Sequence, residues 1–190
     1  MNKSHLENSL QEQLKNARSA WKFRGQKRPK FAVTPEVNQE SVWDYPRPPR
    51  IEEDQSLVKV FLETEMLAES VNTFRVLETA SPPTYYIPMN DINLQQLKPC
   101  EGSSLCEWKG VAKYFSSVDD LLPIAWFYPN PFESFSPLRN HVSFYPARVR
   151  CFLNEERVSA QRGGFYGGWL TKNIVGPFKG EKVSDPKKSV

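Results

Sequence analysis

Glu107 and Lys109 are the residues of this sequence best placed to do chemistry together. They stand two apart in Leu105-Cys106-Glu107-Trp108-Lys109-Gly110-Val111-Ala112-Lys113-Tyr114-Phe115. Read as a strand by its alternation, this segment puts Glu107, Lys109 and Val111 on one face and Cys106, Trp108 and Gly110 on the other. A carboxylate and an ammonium at that spacing can hold each other's charge, or act as acid and base on a substrate between them. Arg75 and Glu78 pose a related choice, because they lie among residues of Asn72–Thr79 that otherwise read as buried. Such charges must be paired, either within the fold or by a ligand.

The second candidate stretch is Gly163-Gly164-Phe165-Tyr166-Gly167-Gly168-Trp169, continuing to Gly176-Pro177-Phe178-Lys179-Gly180. Six of the chain's nine glycines fall in it, so glycine here is not filler. Paired glycines permit positive φ and close backbone approach while the neighbouring rings stand out. The turn is either one wall of a pocket, with Tyr166 and Trp169 exposed to a ligand, or a tight hairpin whose rings fill core.

Several chemistries lack their signs. There is no P-loop, no GxGxxG between strand and helix, no GxSxG elbow and no HExxH. Cys100, Cys106 and Cys151 form no CxxC pair and have no histidine at ligand spacing, so no metal site is expected and no cofactor is identified. His141 has no evident nucleophile partner and reads as structural. An odd cysteine count, the lack of a signal-peptide run and the lack of a transmembrane segment lead to the expectation of a soluble, cytoplasmic protein.

The elements that must position these residues follow from composition. Sixteen prolines and 13% aromatic residues in 190 favour short strands and fixed turns, hence a mainly β domain. Residues 1–42 carry eight Lys or Arg against four Glu, while the rest of the chain is nearly neutral. That distribution argues against sequence-specific nucleic-acid binding, and leaves the basic arm a protein or anionic partner to touch. Leu6, Leu10, Leu14, Ala17 and Trp21 recur at helical spacing behind a Ser4–Glu7 capping box, so a short amphipathic helix opens the arm. It is expected to dock on the body, pair with another chain, or form only partly when free. Gly25 and Pro29 break the helix, making 1–42 an N-terminal extension, 43–180 the domain and 181–190 a flexible C-terminal tail.

Within the domain, Trp43-Asp44-Tyr45-Pro46-Arg47-Pro48-Pro49-Arg50 reads as an extended strap laid over a surface. Val58 to Glu65 and Val149 to Glu156 share a Val-x-x-Phe-Leu-x-x-Glu spacing, which predicts two like hairpins. Ala125-Trp126-Phe127-Tyr128-Pro129 reads as an aromatic strand, and a short helical turn capped by Asn90 or Asp91 is expected after Pro88.

Taken together, WDYPRPPR (43–50), RVLET (75–79), PPTYYIP (82–88), CEWKG (106–110), WFYP (126–129), FYP (144–146) and residues 163–180 resemble the domain of unknown function 427 family, sometimes labelled nucleotidyltransferase-like. The resemblance spans about residues 43–180. It implies a β-tent, two antiparallel sheets meeting at an angle, similar to methionine sulfoxide reductase B and the ligand-binding domain of cereblon. The zinc of that wider group is held by paired CxxC motifs, which this chain lacks, and no Gly-Ser/Asp-x-Asp carboxylate pair supports nucleotidyl transfer. The family-like motifs contribute Arg75, Glu78, Tyr85, Glu107, Lys109, Trp126, Tyr128, Tyr145, Tyr166 and Trp169 as candidate site residues.

Rings beside glycine-rich backbone favour a small-molecule-binding module with an aromatic, charged cleft, holding a planar or nucleotide-like ligand between Tyr85, Trp108 or Trp126, Tyr166 and Trp169. The alternative is an enzyme with Glu107 as general acid/base, Lys109 or Arg75 as anion stabiliser and Tyr145 or Tyr166 as proton relay. A third reading is a scaffold acting through residues 1–42. Ligand identity and oligomeric state are not legible in the residues.

Overall fold

The computed structural model describes residues 3–163 and 166–181. Gly164, Phe165, most of the expected C-terminal tail and the side chains of the Ser4–Glu7 capping box lie outside the described residues. A helix, α1 (Lys3–Ser19), precedes the strands β1 (Glu40–Ser41), β2 (Arg50–Asp54), β3 (Val58–Leu62), β4 (Glu65–Ser70), β5 (Thr73–Glu78), β6 (Ser81–Pro88), β7 (Leu97–Cys106), β8 (Gly110–Ser117), β9 (Pro123–Phe127), β10 (His141–Phe144), β11 (Arg150–Leu153), β12 (Glu156–Arg157), β13 (Ser159–Ala160), β14 (Trp169–Leu170) and β15 (Ile174–Val175). The protein is mainly β, with several antiparallel sheets, an N-terminal helix and no closed barrel.

Two sheets form the body. One has seven strands in the order β2-β5-β6-β10-β9-β8-β7, and the other has four in the order β12-β11-β3-β4. The two hairpins of like sequence, β3–β4 and β11–β12, sit side by side in the smaller sheet. Val60 and Cys151, equivalent positions in the two, are Cα partners at its centre. Glu63 and Asn154, again equivalent, both turn with positive φ (49° and 54°). The hairpins are therefore related by a local pseudo-twofold, with Phe61 and Phe152 meeting edge to face at 5.8 Å across it.

Strand alternation gives the larger sheet two different faces. On one, Tyr85, Ile87, Ala125, Val142 and Phe144 join Val58, Val60, Leu67, Cys151 and Trp169 from the rest of the body in a single buried cluster. On the other, Val76, Tyr86, Ala112, Trp126 and Leu138 form a second cluster, outside the contact between the sheets. The site described below belongs to this second face.

The N-terminal extension packs on the domain. Trp21, Phe23 and Ala32 lie against Trp43, Tyr45 and Leu77 in a third cluster, with Phe23 and Trp43 ring centroids 5.2 Å apart. Trp43 itself is buried and donates its Nε1–H to Pro177 O at 2.8 Å, so the proline-rich segment is a packed strap. From the helix, Leu14 is buried and Arg18 lies over the Trp108 ring at 5.2 Å. The turn after Pro88 consists of two short 3-10 segments, Met89–Asp91 and Leu94–Gln96. Its side-chain cap is Asn93, which accepts from Gln95 N, rather than Asn90 or Asp91; Asp91 instead accepts from Ser70 Oγ at 2.5 Å.

Candidate functional site

The second face of the seven-stranded sheet opens into a cavity of about 220 Å³. Its floor is made by alternate residues of the strands: Val76 and Glu78 from β5, Thr84 and Tyr86 from β6, Ala112 and Tyr114 from β8, and Trp126 from β9. Ser104 and Cys106 at the end of β7 and Tyr128 just after β9 extend it, and Tyr145, following β10, closes one side.

The opposite wall is the glycine-rich segment. A Cβ placed on Gly167 would stand 2.2 Å from the Trp126 ring, and one on Gly168 would stand 2.4 Å from Gln161 Oε1. These contacts are impossible for any other residue without displacing a neighbour. The paired glycines thus let the backbone pass directly over the indole, and Tyr166 lines the cavity beside them. Trp126 is fixed from below as well, donating Nε1–H to Tyr86 Oη at 3.1 Å and lying 4.5 Å from the Tyr145 ring.

Glu107-Trp108-Lys109 is not strand but the three-residue turn between β7 and β8, flanked by the pair Cys106 and Gly110. Gly110 takes a φ of +100°, the left-handed position that ends a three-residue hairpin loop. The turn breaks the alternation expected for 105–115, so Cys106, Glu107 and Lys109 all reach the cavity while Trp108 is buried beneath α1 instead of walling it. Glu107 does not pair with Lys109. Its Oε1 accepts from Arg47 Nη2 at 2.8 Å, and Arg47 Nη1 pairs with Glu78. Arg47 is buried and its guanidinium lies between the Trp21 and Trp108 rings, at 5.8 and 5.7 Å.

Lys109 is 8% exposed and lines the cavity, 6.0 Å from the Tyr128 ring. Burial works to lower the pKa of its ammonium, but Cys106, Tyr86 and Glu78 around it more than reverse this, and the pKa lies above the ordinary lysine value. Burial likewise raises Tyr86 and Tyr128, and pushes Tyr145 up to about 12 with Tyr114 adding to it. Tyr86, Tyr128 and Tyr145 therefore stay protonated and neutral at physiological pH.

Of the residues expected at a site, Glu78, Glu107, Lys109, Trp126, Tyr128, Tyr145 and Tyr166 line this one cavity, and Arg75, Tyr85 and Trp169 do not. Arg75 is on the other side of β5 from Val76 and Glu78, where its guanidinium pairs with Glu40 at 2.8 Å and Glu52 at 2.7 Å. Tyr85 and Trp169 pack against each other as tilted rings with centroids 5.1 Å apart inside the core between the sheets, and Trp169 Nε1 donates to Phe144 O. Residues the sequence reading did not place here are Tyr86, Tyr114, Gln161 and Lys179. Alternation within Pro82–Pro88 already signalled that either Tyr85 or Tyr86 faces away from the core, but not which.

A family model described as a domain of unknown function (DUF427) matches residues 50–155, more than half of the chain. The chain belongs to the DUF427 family. No curated protein matches it. The matched DUF427 segment lies inside the expected 43–180 and supplies the floor of the cavity, from Val76 to Tyr145. Tyr166, Gly167, Gly168 and Lys179, which cover that floor, come from beyond the matched residues, as does Arg47, which holds its two carboxylates. Among the described residues of this DUF427 protein, no group of three or more His, Cys, Asp or Glu is placed to hold a metal ion. No described helix is long and apolar enough to cross a membrane.

Proposed function

We propose that this DUF427 protein is a small-molecule-binding module whose ligand is planar and occupies the cavity between Trp126, Tyr145 and the Tyr166–Gly168 wall. The observation that carries the reading is the close approach of Gly167 to the Trp126 ring, which builds an aromatic cavity before any ligand arrives. Flat rings on its sides favour stacking, and the few charged groups among them orient the ligand. The test is mass spectrometry of small molecules retained by the natively purified protein, beside Gly167→Val and Tyr145→Ala. A compound retained by the wild type and lost from both variants supports the reading; a wild type that retains nothing, and that no metabolite stabilises against heat, rejects it.

The enzyme reading, with Glu107 as general acid/base and Lys109 as anion stabiliser, draws support from their sharing the cavity with the Cys106 thiol. It is weakened by the engagement of Glu107 with Arg47. Glu107→Gln separates the two: a catalytic group loses turnover and spares affinity, whereas a binding carboxylate loses affinity. The scaffold reading for residues 1–42 is weakened by the internal use of their charges. Arg18 Nε donates to Glu107 O at 2.8 Å, and Arg28 pairs with Asp44.

A further inference from the structure

We infer that the ligand of this cavity is a planar organic monoanion, one or two rings in size, whose carboxylate pairs with the Lys109 ammonium. The inference rests on the binding reading above and names the ligand class for the same site. Lys109 carries it. Its side chain is buried and lines the cavity with its ammonium beside Cys106, and among the described residues no carboxylate forms an ion pair with it. The surroundings keep that ammonium charged, so a carboxylate entering the cavity meets a fixed positive charge that is not already held in an ion pair.

Glu78 favours the charged lysine from a distance, but Glu78 and Glu107 both form their ion pairs with Arg47 and neither closes on Lys109. The lining carries Lys109 and Lys179 against those two carboxylates, and Arg47, buried behind the wall and paired with both, makes three formal cations against two. One positive charge is left over, which a single negative charge balances. A dianion such as a phosphate monoester would bring its second charge against Glu78 and Glu107 on the same wall, where repulsion in a partly desolvated site is strong. Lys109 acts as an electrostatic anchor and not as a carbonyl-attacking amine, since a nucleophilic lysine needs its pKa lowered and the surroundings here raise it. Size sets the rest. At about 220 Å³ the cavity is below the roughly 300–1,000 Å³ of drug-sized pockets, and a lining that includes Trp126, Tyr145 and Tyr166 suits a small flat body.

The experiment is thermal unfolding and calorimetric titration of the full chain with benzoate, benzamide, benzylamine and phenyl phosphate, in the wild type and in Lys109→Met. Benzoate is expected to bind at least about tenfold more tightly than benzamide, the least that one hydrogen bond to a charged group contributes. Phenyl phosphate should bind no more tightly than benzoate, and benzylamine should not bind. In Lys109→Met, benzoate should fall to the level of benzamide. Benzamide or benzylamine matching benzoate in the wild type overturns the inference, as does tighter binding of phenyl phosphate or failure of all four to bind. These comparisons within the wild type decide the matter even if Lys109→Met does not fold. A retained compound that disappears in Gly167→Val keeps the binding reading alive when the monoanion fails.

Discussion

Gly167 and Trp126 are in such close approach that one added methyl group would overlap the indole, at 2.2 Å from its nearest ring carbon. The ring is held beneath by Tyr86 and beside by Tyr145, so it has little room to retreat except into the cavity. Gly167→Ala should therefore displace the Trp126 ring and lower stability by about 1–3 kcal/mol, the usual cost of overpacking. Urea denaturation measures the stability change and native tryptophan emission reports the displacement. Unchanged emission and stability would show that the segment moves freely.

Among the described residues Arg47 is the one cation that reaches both Glu78 and Glu107, and its side chain is only 4% exposed. Arg47→Met should cost about 3 kcal/mol, the lower end for breaking a buried pair, because the carboxylates retain 19% and 25% exposure. Adding Glu78→Gln and Glu107→Gln to Arg47→Met should recover part of the loss, since the variant no longer holds uncompensated carboxylates. Chemical denaturation of the wild type, Arg47→Met, the Glu78→Gln/Glu107→Gln pair and the triple variant reads this directly.

Alkaline stability follows from the tyrosines. Burial, with Tyr114 adding to it, raises the Tyr145 pKa from an ordinary 10.0 to about 12, and burial raises Tyr86 and Tyr128 as well. Above pH 10 the unfolded chain releases these protons before the folded one, so the unfolded state binds fewer and stability falls as pH rises. The contribution from Tyr145 is complete below pH 10 and is lost between 10 and about 12. Denaturation midpoints across that window should drop less steeply in Tyr145→Phe than in the wild type.

The extension should be needed for stability. Removing residues 1–35 uncovers Trp43 and takes Trp21, Phe23 and Ala32 from the third cluster, together with the Arg18 contacts to Glu107 and Trp108. Loss of several kcal/mol is expected, at about 1.5–3 kcal/mol for each large buried side chain. Arg18→Ala alone should cost roughly 1–2 kcal/mol through the hydrogen bond to Glu107 O and the cation–π contacts with Trp108 and Phe132. Thermal melts of both variants check the pair, and an unchanged melting point in the truncated chain would mean that the arm is dispensable for folding.

The two like hairpins predict that their central residues are interchangeable. Cys151 is fully buried opposite Val60, and burial raises its thiol pKa. Cys151→Val should cost less than about 1.5 kcal/mol, as near-isosteric core changes do. Native Cys151 should resist thiol reagents that label partly exposed Cys100, as counted by mass spectrometry with and without denaturant.

The amino-acid sequence alone determined the class of this fold and much of its punctuation. Proline and ring content, the alternation through Val58–Leu62 and Val149–Val158, and the repeated Val-x-x-Phe-Leu-x-x-Glu spacing were enough for antiparallel hairpins, because side-chain alternation and turn chemistry are local. Local too was the meaning of the paired glycines, since only close backbone approach or positive φ calls for them beside large rings. What only tertiary structure decided was which side of each element met what. Tyr85 and Tyr86 are adjacent and alike, and one lies in the core while the other lines the cavity, because moving one residue along a strand changes its face. Glu107 and Lys109 read as one strand face until the chain turned at Gly110. The partner that claims Glu107, Arg47, lies 60 residues away in a strap whose course no local pattern specifies.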